Sequence, residues 1–111
     1  MPSPFHWDVA NKGHIVDQYP QRANTVEEVE SLFDDPSFRP APDRVDSRGE
    51  QQYSGVAMSN RNRLLFVAYS LRNDQIRPIS CRPASRKERN RYAQITQKPD
   101  QEGDSENGSR D

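Results

Sequence analysis

Leu64-Leu-Phe-Val-Ala-Tyr69, Arg72-Asn-Asp74 and Gln75-Ile-Arg-Pro-Ile-Ser-Cys-Arg82 decide the fold. The first is a continuous apolar run with aromatic and β-branched members, of a length that suits a buried strand. The second is a turn, and the third reads as a further strand returning beside the first. Just upstream, Gln51 to Ser59 alternates loosely. Three successive strands joined by short turns therefore predict an antiparallel meander. Pro78 has no N–H for a ladder, so the last strand should lie at an edge or turn that position away from a neighbour.

Working outward, Ser85-Arg-Lys-Glu88 is a capping box, and Glu88, Tyr92 and Ile95 fall on one stripe of a closing helix. On the other side, Thr25-Val-Glu-Glu28 is a second box, with Glu28 expected to reach back while Val26, Val29, Leu32 and Phe33 follow at helical spacing. That helix must stop near Asp34-Asp35-Pro36, because proline disfavours helical geometry in the residue before it. Trp7 to Gln18 allows a first helix with Asp8 as N-cap. Pro40-Ala-Pro42 and Asp46-Ser-Arg-Gly49 punctuate the chain, with one short strand expected near Phe38. The order helix, helix, small antiparallel sheet, helix predicts an α+β fold with helices covering one sheet face.

The 111 residues are 31% hydrophobic and 30% charged, enough for one small domain, which excludes a multidomain enzyme. All 19 Leu, Ile, Val and Phe residues precede Lys98. A single domain is expected over 1–96, and residues 97–111, without one hydrophobic side chain, are expected to form a disordered acidic tail. No run approaches the roughly 20 apolar residues of a spanning helix, and the opening Met-Pro-Ser-Pro-Phe-His-Trp lacks the order of a signal peptide. A cytoplasmic protein with no membrane association is expected. The net charge of −1 hides three blocks: −5 over 1–60, +8 over 61–98 and −4 over 99–111. Eight of the ten cations in the middle block are arginines, whose planar fork holds a phosphate through paired hydrogen bonds. A polyanion is the partner such a block suits, although a basic solvated face reads the same way.

Cleaving an RNA phosphodiester needs a group to take the 2′-hydroxyl proton, a cation to offset phosphate charge and an acid for the leaving oxygen. Arg77 and Arg82 could supply the cations, though five residues apart they fall on opposite faces of a regular strand. Glu88 and Tyr92, one helical turn apart, could handle protons. Each also has a plainer reading, Glu88 as the cap partner of Ser85 and Tyr92 as a core anchor with its hydroxyl at the rim. His6 and His14 read as structural or surface residues, and the lone Cys81 as a buried small one. None of these has the spacing of a metal site, and there is no Gly-rich phosphate loop, so neither metal nor cofactor is expected.

Arg77-Pro-Ile-Ser-Cys-Arg-Pro-Ala-Ser-Arg-Lys-Glu-Arg-Asn-Arg-Tyr92 resembles the C-terminal signature of the BrnT toxin family, R-x-I-S-A-R-x-A-x-x-x-E-R-x-x-Y. Phe5-His-Trp-Asp8 with Asn11 and His14-Ile15 is similar to the family's opening, and Thr25 to Glu30 with Phe33 and Asp35-Pro36 to its second helix. Gly49-Glu50 through Leu64-Leu65 resembles the first hairpin. The likeness runs in order over about residues 5 to 95. It implies a RelE-like fold and an RNA-cleaving toxin that halts translation. It also implies a ribbon-helix-helix antitoxin that blocks the toxin and alone brings it to operator DNA. Carried over by position, Arg77, Arg82, Glu88 and Tyr92 become the site residues, the arginines on phosphate, Glu88 as base, Tyr92 as acid or stacking surface. The chain departs from the pattern where Val16-Asp-Gln-Tyr-Pro20 replaces a second histidine and where Gln52 stands for a hairpin arginine. Ala57, Cys81 and Pro78 also differ from it. A cutting toxin and a degenerate relative that only binds antitoxin or RNA are the two readings left open.

Overall fold

The computed structural model describes residues 3–97, so the expected acidic tail, Gln97 apart, lies outside the described residues. The first helix begins as α1 (Val9–Lys12) and runs on as a π-helical turn over Gly13–Asp17. Asp8 caps it reciprocally: its carboxylate accepts from the Asn11 N–H at 3.0 Å, and the Asn11 side chain accepts from the Asp8 N–H at 2.8 Å. Thr25 caps α2 (Val26–Ser31), which tightens into a 3₁₀ turn, Leu32–Asp34, ahead of Pro36. Strands β1 (Ala41–Val45), β2 (Gln51–Met58), β3 (Leu64–Arg72) and β4 (Gln75–Pro83) form one antiparallel sheet in sequence order, and α3 (Arg86–Gln97) is the last element of the described residues.

The α+β class and the meander stand, with one strand more than the apolar pattern suggests. The strand expected near Phe38 begins at Ala41 instead. Phe38 is held in a turn by its N–H to the Asp35 carbonyl at 3.0 Å, and its ring packs edge-on against Phe33. At the β3–β4 hairpin, Asn73 and Asp74 both take positive φ, 54° and 63°, as a two-residue turn of matching twist requires. β4 is an edge of the sheet, so Pro78 costs no ladder bond to a fifth strand. The N-terminal segment covers that edge through His6 N–H to the Ile76 carbonyl and Ile76 N–H to the Pro4 carbonyl, each at 2.8 Å.

Opposed residues of an antiparallel pair share a face, so Ala57, Leu65, Val67 and Cys81 all point one way. That side is the core, closed by Ile15 from the π turn and by Val29 and Leu32 from the second helix. Trp7, Val16, Phe33 and Phe38 pack around it. The opposite face is not covered by these helices. It meets α3 at one end only, which corrects the expectation of helices on a single face: the two N-terminal helices and α3 take opposite sides. A single apolar stripe bearing polar Glu88 and Tyr92 is too narrow to cap a four-stranded sheet.

Candidate functional site

Across β2, β3 and β4 the uncovered face is laid out in three rows: Gln52–Ser70–Arg77, then Ser54–Ala68–Ser80, then Val56–Phe66–Arg82. Arg77 and Arg82 therefore share a face, against the parity expected of a regular strand. The cause is a bulge in β4, where the register passes from Ala68 opposite Ser80 to Tyr69 opposite Pro78 and leaves Ile79 as the extra residue. A second irregularity in β1, between Pro42 and Val45, sets both Asp43 and Arg44 against Gln52. Each edge strand thus carries one bulge, and both turn polar side chains onto the same open surface.

Between the bulges lies a cleft of about 460 Å³ bordered by His14, Asp43, Arg44, Gln52, Ser80 and Arg82. His14 is half-buried and meets the Tyr19 ring edge-on, with centroids 5.7 Å apart. Arg82 forms the cleft's firmest wall. Its guanidinium donates to both Glu88 carboxylate oxygens, at 2.9 and 2.8 Å, and lies 4.2 Å from the centre of the Phe66 ring. Glu88 also accepts the Ser85 N–H at 2.8 Å while Ser85 Oγ accepts the Glu88 N–H, so the capping box and the ion pair share one carboxylate. The Arg82 hydrogen bond, outweighing burial, holds the Glu88 carboxyl below the ordinary range.

Beyond this pair, beneath α3, a pocket of about 270 Å³ has Glu88, Tyr92 and Ile95 on its helical side, as the stripe predicts, facing Val56 and Phe66 of the sheet. The Tyr92 hydroxyl donates to Asp35 Oδ2 at 2.6 Å, and burial first, then that carboxylate, pushes the phenol up to about 12. Arg77 stands apart. It is four β3 positions from Arg82, roughly 13 Å at 3.3 Å per residue, and it donates to Asp8 Oδ2 at 3.2 Å.

Of the four residues expected at the site, Arg82 and Glu88 are in contact, Tyr92 shares a pocket with Glu88, and Arg77 occupies the far end of the same face. Two cleft residues escape a reading of the sequence. Arg44 carries no signal, because only the β1 bulge aims it. His14 had one: it precedes the core residue Ile15 by a single position, about 100° around the helix, which puts it at the rim of the buried stripe. Cys81 is fully buried, and burial pushes its thiol up to about 12, so it is an inert core residue as expected. Among the described residues no group of three or more His, Cys, Asp or Glu side chains could hold a metal ion.

Chemically, the cleft offers arginines on two sides, an imidazole whose ring nitrogens can accept or donate a proton, and hydroxyl and amide donors on its floor. Glu88, with both oxygens engaged by Arg82, is better placed to hold that arginine than to take a proton. Tyr92, with its proton bound to Asp35 and its acidity reduced, is better placed to anchor α3.

No curated protein matches the chain. A family model described as "Ribonuclease toxin, BrnT, of type II toxin-antitoxin system" matches residues 7–88. The matched span holds the sheet, both bulges and the Arg82–Glu88 pair, and stops before Tyr92. The chain belongs to the BrnT family of ribonuclease toxins of type II toxin–antitoxin systems, which implies an RNA substrate and an antitoxin partner.

Proposed function

We propose that the protein is an endoribonuclease that cuts single-stranded RNA without a metal ion and thereby halts translation. It acts in the cytoplasm as one RelE-like domain over 1–96 with an acidic tail. A ribbon-helix-helix antitoxin restrains it and provides its only route to operator DNA. The observation that carries the reading is the juxtaposition of Arg82 and Arg44 across a cleft that also holds His14.

In the proposed reaction the 2′-oxygen attacks the adjacent phosphorus, His14 takes its proton, and the 5′-oxygen departs with a proton delivered from solvent or the cleft. A 2′,3′-cyclic phosphate and a 5′-hydroxyl remain. Arg82 and Arg44 offset the charge that builds on the non-bridging oxygens, so the cations the step needs are carried by the chain. Arg77 holds a neighbouring phosphate. Glu88 and Tyr92 act as positioning residues, one fixing the Arg82 fork and the other fixing α3. Gln52 is uncharged where the family pattern has arginine; Arg44, set against it by the β1 bulge and bordering the same cleft, supplies the cation in its stead. That favours a cutting enzyme over a binding module.

Partner-free protein should cleave single-stranded RNA in the presence of a chelator and leave 2′,3′-cyclic phosphate ends. Arg82→Ala should lower the rate by about 100-fold or more, as loss of a charge-stabilising donor does, with the thermal midpoint read in parallel. Retention of RNA without cutting would establish the binding module instead.

A further inference from the structure

The pocket beneath α3 is separated from the cleft by one wall. Phe66 borders both spaces, and the Arg82–Glu88 pair joins them, Arg82 lining the cleft and Glu88 the pocket. A strand whose phosphate rests on Arg82 can therefore place one neighbouring nucleoside across Phe66 toward α3. At about 270 Å³ the pocket lies below the roughly 300–1,000 Å³ of sites for drug-sized ligands. It suits one ring system. Val56, Ile95, Pro42 and Phe66 give it apolar walls for a ring to pack against. Polar groups stand at its margin: the Ser54 hydroxyl, the Glu88 carboxylate and the guanidinium groups of Arg39 and Arg91. Arg91 makes no hydrogen bond or ion pair among the described residues, and Arg39 donates only through Nη1, to the Pro36 and Phe38 carbonyls. Apolar walls with a mixed donor and acceptor rim and flanking cations suit an unstacked nucleobase carried on a phosphate backbone.

We infer that this pocket receives one base of the RNA strand, next to the phosphate seated in the cleft. The inference rests on the ribonuclease reading and adds to it the element that selects where the strand is cut. A side chain of the antitoxin is the competing occupant. Continuity with the cleft favours the base.

The test walks a single abasic ribose along a short fluorescent single-stranded RNA whose 2′-oxygens are methylated, so that it binds but cannot be cut, and reads affinity by anisotropy. One position, adjacent to the bond cut in the unmodified RNA, should cost the wild-type protein about fivefold or more in affinity. Ile95→Trp, which fills the pocket, should bind intact and abasic RNA equally. Ile95→Ala, which widens it and is milder toward the fold, should shrink the same difference. An abasic penalty that persists undiminished in both variants overturns the inference, as does the absence of any position-specific penalty. Variants that bind every RNA like wild type but lose antitoxin assign the pocket to the protein partner. Where unmodified RNA is still cut, these failures touch the pocket alone; RNA neither bound nor cut defeats the ribonuclease reading as well.

Discussion

Glu28 is fully buried and yet ionised. It accepts from the Ser59 hydroxyl at 2.7 Å and from Arg63 Nε at 2.8 Å, is bonded to a second Arg63 nitrogen, and meets Arg61 at 3.3 Å. The Arg63 hydrogen bond, against the opposing effect of burial, holds its carboxyl below the ordinary range. A carboxylate shifted in this direction stabilises the fold fully above its unfolded value of about 4.3, and that stability is lost as pH falls through the lower folded value. Urea unfolding should therefore show stability declining below about pH 4.3, with a smaller decline in Glu28→Gln. At neutral pH the same substitution should cost about 1.5–3 kcal/mol, because the charge-assisted hydrogen bonds that Arg63 makes to the buried carboxylate are lost while Arg63 keeps partial access to water. The Thr25-x-x-Glu28 spacing assigned this side chain to a cap. Thr25 does accept the Glu28 N–H, at 3.1 Å, but the carboxylate is drawn to arginines 33 and 35 residues further on. A buried charge finds its strongest partner through space, and local spacing cannot name it.

At the scale of elements, α3 is fastened at its start by the Ser85–Glu88 box and further along by Tyr92 on Asp35. Asp35 is itself pinned: its carboxylate also accepts the N–H groups of Met58 at 2.8 Å and Ser37 at 2.9 Å. Tyr92→Phe removes one hydrogen bond to a charged acceptor and should cost about 1.5–3 kcal/mol. Amide exchange should quicken in the second half of α3 while the sheet keeps its protection; uniform loss across the chain would mean that the contact stabilises the whole fold and not the helix. β2 offers a second check. A Cβ on Gly55 would come within 2.7 Å of a Phe38 ring carbon and 3.1 Å of the Pro40 Cα, so Gly55→Ala should destabilise by about 1–3 kcal/mol in thermal or urea melts. Helix starts were legible because a cap and its first turn are neighbours in sequence. The bulges in β1 and β4 were not, since an extra residue in one strand is defined only by what the adjacent strand pairs with.

For the whole molecule, the decisive quantity is the charge gathered on one open face. With Arg44, Arg77 and Arg82 each meeting a phosphate, the logarithmic salt slope for single-stranded RNA should be near −2, or about a 20-fold loss of affinity between 50 and 200 mM salt. Arg44→Ala should flatten that slope by about 0.7, and an unchanged slope would remove Arg44 from the interface. The amino-acid order by itself determined the helix starts, the meander of the last three strands, the α+β class, the freedom of Pro78 from any ladder bond and the family likeness, because capping, apolar periodicity and motif spacing are each read over a few neighbouring residues. Only the tertiary structure decided that Arg77 and Arg82 face the same way, that Arg44 and His14 join Arg82 around one cleft, and that Glu88 is taken up by an arginine. Those outcomes depend on strand parity after a bulge and on which opposite charge lies nearest in space, and both are properties of the packed chain.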